Sequence, residues 1–84
     1  MNDFIKYTET FETINQTSQI KSNCNSLTVI NTGTATAQIN GVSLNPGQQF
    51  VVTGNFSEFN TTEYRLSFVG PGIEQVTVIR KIYL

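Results

Sequence analysis

The 84-residue sequence has no histidine or tryptophan, one cysteine, one aspartate and two prolines. Each gap removes a class of chemistry. Without histidine, neither a Ser-His-Asp nor a Cys-His arrangement can be assembled. A single cysteine and no histidine also leave zinc without its usual ligands. Cys24 cannot close an internal disulfide, and it has no CxxC partner to make it a redox or catalytic thiol. A calcium site would need clustered Asp and Asn oxygens, and Asp3 is the only aspartate.

Charge is scarce as well, at 13% of residues with a net of −1. Apart from Arg80-Lys81 the cations are scattered, so the basic footprint of a nucleic-acid binder is absent. No apolar run reaches the length of a membrane span. Met1-Asn2-Asp3-Phe4 lacks the charged and apolar regions of a secretory signal. Synthesis in a cytoplasm, with Cys24 reduced, is the expectation. The carboxylates Glu58, Glu63 and Glu74 fall in loop or solvent-face positions, where glutamates ordinarily serve solvation. No catalytic, metal or cofactor-binding residue is assigned, and the chain is not expected to be an enzyme.

What the sequence does have is turn chemistry. Asn40-Gly41 supplies two residues that tolerate positive φ, as a two-residue type I′ hairpin requires. With that loop, Ile39 pairs with Val42 and Ala37 with Leu44 on one face, leaving Gln38 and Ser43 on the other. Asn45-Pro46-Gly47-Gln48 follows as a type II turn into Gln48–Thr53. Asn31-Thr32-Gly33 is a weaker turn between Leu27–Ile30 and Ala35–Ile39. These signals predict a four-strand meander from Leu27 onward, at the spacing of a small sandwich or barrel.

The flanks are less regular. Residues 1–16 form an N-terminal arm preceding a single antiparallel β domain, 17–84. Phe4, Tyr7, Phe11 and Ile14 recur at helical spacing, while Thr8, Thr10 and Thr13 favour a strand. With Phe4, Ile5, Tyr7 and Phe11 the arm is too apolar for a solvated tail. It covers either its own core or a neighbouring subunit. Thr17–Ser22 reads as a strand with Ile20 inward, followed by a polar loop, 22–26.

Gly54–Thr62 is a long connection in which Phe56 and Phe59 either cap the sandwich end or form a recognition loop. Glu63–Phe68 alternates as a half-buried strand, and Gly70-Pro71-Gly72 turns the chain into a last strand, Ile73–Leu84. Alternation fails near Arg80-Lys81, which predicts a bulge there or a strand leaving its own sheet, with the two cations as guards of a sheet edge. Ile82, Tyr83 and Leu84 predict a buried C-terminal end that joins the arm as a candidate interface. A chain this short buries only about 60% of its unfolded surface, so oligomerisation is the expected source of extra stability.

The segments LTVINTG, INGVSLNPGQQF, TTEYRLSF and VTVIRKIYL resemble small virion structural proteins of phages infecting Bacteroidetes, over roughly residues 26–84. The resemblance implies a capsid- or tail-associated role: a minor capsid, decoration or penton-like component. Its partners would be other copies of itself and other virion proteins, and its location the virion, after synthesis in the host cytoplasm. It transfers no catalytic residue. A carbohydrate- or receptor-binding β module, using Phe56 and Phe59 on a glycan, is the alternative.

Overall fold

The structure is a computed structural model that describes residues 4–84. Met1–Asp3, the first residues of the expected arm, lie outside the described residues. Eight strands make up the fold: β1 (Tyr7–Ile14), β2 (Ser18–Lys21), β3 (Ser26–Asn31), β4 (Thr36–Ile39), β5 (Val42–Leu44), β6 (Gln49–Val52), β7 (Glu63–Val69) and β8 (Val76–Tyr83). They form two antiparallel four-stranded sheets, β1-β8-β3-β6 and β2-β7-β4-β5. The result is an all-β open sandwich, not a barrel.

The Asn40-Gly41 hairpin sits where its turn chemistry puts it. Asn40 has φ 49° and Gly41 φ 84°, and the pairs are Ile39–Val42, Gln38–Ser43 and Ala37–Leu44. Ala37, Ile39 and Leu44 are buried, but Val42, at the hairpin tip, stands in solvent. In the next turn Gly47 takes φ 85° and the Gln48 amide donates to the Asn45 carbonyl at 2.9 Å.

The expected meander does not form. Among the described residues, β4 and β5 are the only consecutive strands that lie side by side in a sheet. β3 pairs instead with β6 and β8, and every connection other than the hairpin carries the chain from one sheet to the other. Strands pair outward from the hairpin as β4–β5, β3–β6, β2–β7 and β1–β8. The chain is therefore one long hairpin rolled over itself, which is the strand order of an eight-stranded jelly roll.

Asn31 explains why β3 and β4 part. Its side chain is 1% exposed, and Nδ2 donates to the carbonyls of Ala35 and Leu44, both at 2.8 Å. Its Oδ1 accepts from the Gly33 amide at 3.0 Å. The expected turn at 31–33 is thus a corner held by a buried amide, and the chain crosses between sheets there. Gly33, in the same corner, also donates its amide to the Gln75 carbonyl.

A narrow strip forms the core. Ile20, Leu27, Val29, Ile39, Leu66, Val76 and Val78 are fully enclosed. The molecule measures 54 × 20 × 15 Å with a radius of gyration of 14.0 Å, against about 12 Å for a compact domain of this length. So thin a slab leaves many apolar side chains uncovered.

β8 corrects two expectations. It runs from Val76 to Tyr83 with an uninterrupted register on both sides, so there is no bulge at Arg80-Lys81. It is also a central strand, so these cations guard no edge. Arg80 lies on the inward face, where Nε donates to the carbonyls of Lys21 and Ser22 at 2.9 and 3.1 Å. Lys81, on the outer face, places Nζ 4.1 Å from the Tyr7 ring centroid and 5.1 Å from that of Tyr83. Both cations break the alternation of apolar residues without breaking the strand.

Candidate functional site

The arm resolves as a strand. β1 pairs with β8 along its whole length, from Tyr7–Tyr83 to Ile14–Val76. Helical spacing of four apolar residues loses here to backbone pairing with an eight-residue neighbour and to the β preference of the threonines. The arm and the C-terminal strand, both expected at an interface, are therefore adjacent. Tyr7 and Tyr83 meet edge to face with centroids 6.2 Å apart, and the Leu84 amide donates to the Lys6 carbonyl at 2.8 Å.

Very little covers β1. Every residue from Tyr7 to Thr13 is exposed, on both faces, and only Ile14 is partly buried. Phe4, Ile5 and Tyr7 are exposed, and Phe11 is 68% exposed. Of the arm, Ile14 packs against the core, whereas Phe4, Ile5, Tyr7 and Phe11 do not cover it. The C-terminal residues divide. Ile82 packs partly against the core, Tyr83 is half-buried, and Leu84 is exposed rather than enclosed.

The orientation of β1 follows from two bonds. In an antiparallel pair, residues alternate between those that exchange N–H···O bonds with the neighbour and those directed away from it. The bond from Leu84 to Lys6 places the even-numbered residues of β1 in the first group. On the opposite side of β8, the Tyr83 amide donates to Asn25 Oδ1 at 2.9 Å, as the same alternation demands. Tyr7, Glu9, Phe11 and Thr13 consequently direct their N–H and C=O groups to the open edge.

An outer apolar face continues from this edge. Register places Phe11, Ile79, Thr28 and Val51 in one row across the sheet. Val76 and Val78 point into the core, so Ile79 and its row face away from it. Phe11 and Val51, at the two ends of the row, are exposed.

At the end of the sandwich near Tyr83 lies the Thr53–Thr62 connection. Phe56 and Phe59 are 65% and 57% exposed, so they do not cap the sandwich. The loop is anchored by polar groups instead. Asn25, almost fully buried, donates from Nδ2 to the carbonyls of Glu58 at 2.7 Å and Asn55 at 3.2 Å. Glu58 Oε1 accepts from the Asn55 amide at 3.0 Å. Gly54 packs against the Asn25 carbonyl so closely that a Cβ would collide with it. Because backbone hydrogen bonds are met in this way, the aromatic rings need not turn inward. Phe59 lines a shallow, open cleft with Val52, Gly54, Glu58 and Asn60.

The expected polar loop at 22–26 is largely enclosed, with Asn23 alone exposed. Ser22, Cys24 and Asn25 are buried, with Ser22 Oγ donating to the Thr62 carbonyl at 2.6 Å and Cys24 bridging to Asn60. Burial pushes the Cys24 thiol up from its ordinary value, with Arg80 opposing the change. Sequence reasoning missed Asn25 and Asn31 because an asparagine between turn residues looks like any other loop polar residue. Their only signal was position, each beside an alternating apolar run.

Comparison of the chain with protein-family models, with curated proteins and with solved structures finds no match in any of the three.

Proposed function

We propose that this chain is a structural assembly protein of the virion type its sequence resembles. It works by binding further copies of itself and other virion proteins, is made in the host cytoplasm and resides in the virion as a minor capsid, decoration or penton-like component. The carrying observation is β1: an eight-residue strand held by one neighbour, exposed on both faces and preceded by exposed Phe4 and Ile5. Long edges of this kind are normally blunted by charged side chains, proline or a bulge; β1 carries the carboxylates Glu9 and Glu12 but no lysine, proline or bulge. The jelly-roll order adds an analogy at the level of fold, since such sandwiches occur in viral capsid and lectin domains. No reaction enters the proposal. Light scattering across a concentration series is the test. A mass rising to a defined multiple of 9.3 kDa supports assembly, and a mass fixed at the monomer value up to roughly millimolar protein, far above ordinary interface affinities, overturns it.

A second reading rests on the exposed rings of Phe56 and Phe59. Aromatic faces beside Asn60 and Glu58 suit a carbohydrate, with rings stacking on sugar C–H surfaces and amide groups meeting hydroxyls. Chemical-shift changes confined to Gly54–Thr62 on glycan titration support it. Silence across a broad glycan set removes it.

A further inference from the structure

We propose that two copies join edge to edge through β1. The strands run antiparallel about a two-fold axis at Thr10, and the two β1-β8-β3-β6 sheets merge into one eight-stranded sheet. This rests on the assembly reading and specifies its contact.

Length points to a second copy as the occupant. The open edges of the two sheets are β1 with eight residues, β6 and β2 with four each, and β5 with three. Only another β1 matches β1 along its whole length. A β1–β6 contact between copies would leave half of the exposed strand unpaired.

Symmetry then restricts the register. A two-fold axis normal to the sheet keeps outer faces together, so odd residues pair with odd and even with even. The groups at Tyr7, Glu9, Phe11 and Thr13 all face the open edge, so such pairs can exchange hydrogen bonds. An axis at Glu9 or Glu12 would set identical carboxylates directly opposite, which is unfavourable. An axis at Phe11 would leave Tyr7 without a partner inside the strand. With the axis at Thr10, Tyr7 meets the other copy's Thr13 and Glu9 meets its Phe11. All four open positions are then used, in about eight hydrogen bonds.

Side chains fit this register. The two Phe11 rings become diagonal neighbours, within reach of each other across the junction. Glu9 faces Lys81 on the β8 side, which offsets its charge beside the incoming ring. Strand pairing alone buries less than the roughly 1,200 Å² of a stable interface. Phe4 and Ile5, exposed just before β1, lie where they extend the buried area past the strand ends.

Two variants of the full chain test the contact. Glu9→Pro removes an amide that points to the open edge and leaves the β1–β8 ladder intact, since proline is tolerated on an edge strand whose N–H faces outward. One lost bond is worth about five-fold, and a symmetric dimer loses two, so the dissociation constant should rise about thirty-fold. Thr10→Cys sets two thiols across the axis in a non-hydrogen-bonded pair, about 4.5 Å apart at Cα and within disulfide range. It should cross-link on mild oxidation, whereas Thr62→Cys, exposed in the loop, should not. Wild-type dimers weakened by the proline and trapped by the cysteine establish the pairing. An oligomer indifferent to Glu9→Pro and not trapped by Thr10→Cys overturns it while leaving assembly intact. A wild-type monomer at high concentration overturns both.

Discussion

Replacing Asn31 with aspartate is the sharpest test of how this sandwich is held. The substitution keeps size and shape but exchanges the Nδ2 donor for an oxygen. That oxygen would face the Ala35 and Leu44 carbonyls, each now 2.8 Å from Nδ2, with no proton to offer either. The Gly33 amide is less affected, because it also donates to the Gln75 carbonyl. Leaving a buried acceptor without a partner costs roughly 1–3 kcal/mol. Two such carbonyls therefore cost about 2–6 kcal/mol. A domain of this length has a total stability of about 4–13 kcal/mol, so the corner accounts for much of what keeps it folded. Urea unfolding at fixed protein concentration measures the loss. With a slope of about 1 kcal/mol/M, the midpoint should fall by about 3 M at unchanged slope. Asn31→Ala should fall comparably, since it abandons the same two carbonyls. A drop below about 0.5 M for Asn31→Asp would refute the assignment of the corner to this amide.

Two further outcomes follow from the polar interior. Arg80 is 16% exposed, while its ion-pair partner Glu12, 2.8 Å away, is 51% exposed. Arg80→Met withdraws the donor from the buried Ser22 carbonyl and should cost about 2 kcal/mol; Glu12→Gln, at an exposed pair, should cost under about 1 kcal/mol. Equal losses in urea titrations would show that the ion pair, and not the capped carbonyls, is what Arg80 supplies. For Cys24, burial raises the folded thiol above its unfolded value. Its contribution is therefore fully present below the unfolded pKa, about 8.5, and declines as pH rises through the folded value. Stability should fall more steeply above about pH 9 in the wild type than in Cys24→Ala, and parallel pH profiles for the two would refute the linkage.

Where the sequence was legible, the cause was local. Asn40-Gly41 and Pro46-Gly47 fix backbone angles over a few residues, whatever lies elsewhere, and their turns formed as expected. Glu63–Phe68 alternates because one face is buried, and Leu66 is indeed enclosed while Glu63 and Arg65 stay outside. All-β character follows from the same repeated signals, which suit a small sandwich or a barrel alike.

Partnership between strands was decided only in three dimensions. β3 and β4 are separated by a turn signal that suits a hairpin, yet a buried asparagine sends them to different sheets. β1 shows helical spacing but gains a full ladder with β8 from the other end of the chain. Arg80 and Lys81 look like edge guards, although their strand is central. Phe56 and Phe59 were left outside because Asn25 and Glu58 already satisfy the loop. Turn preferences act through the φ and ψ of neighbouring residues, so the sequence carries them openly. Pairing and burial depend on residues dozens of positions apart competing for one small core, and that competition is resolved only when the whole chain is folded.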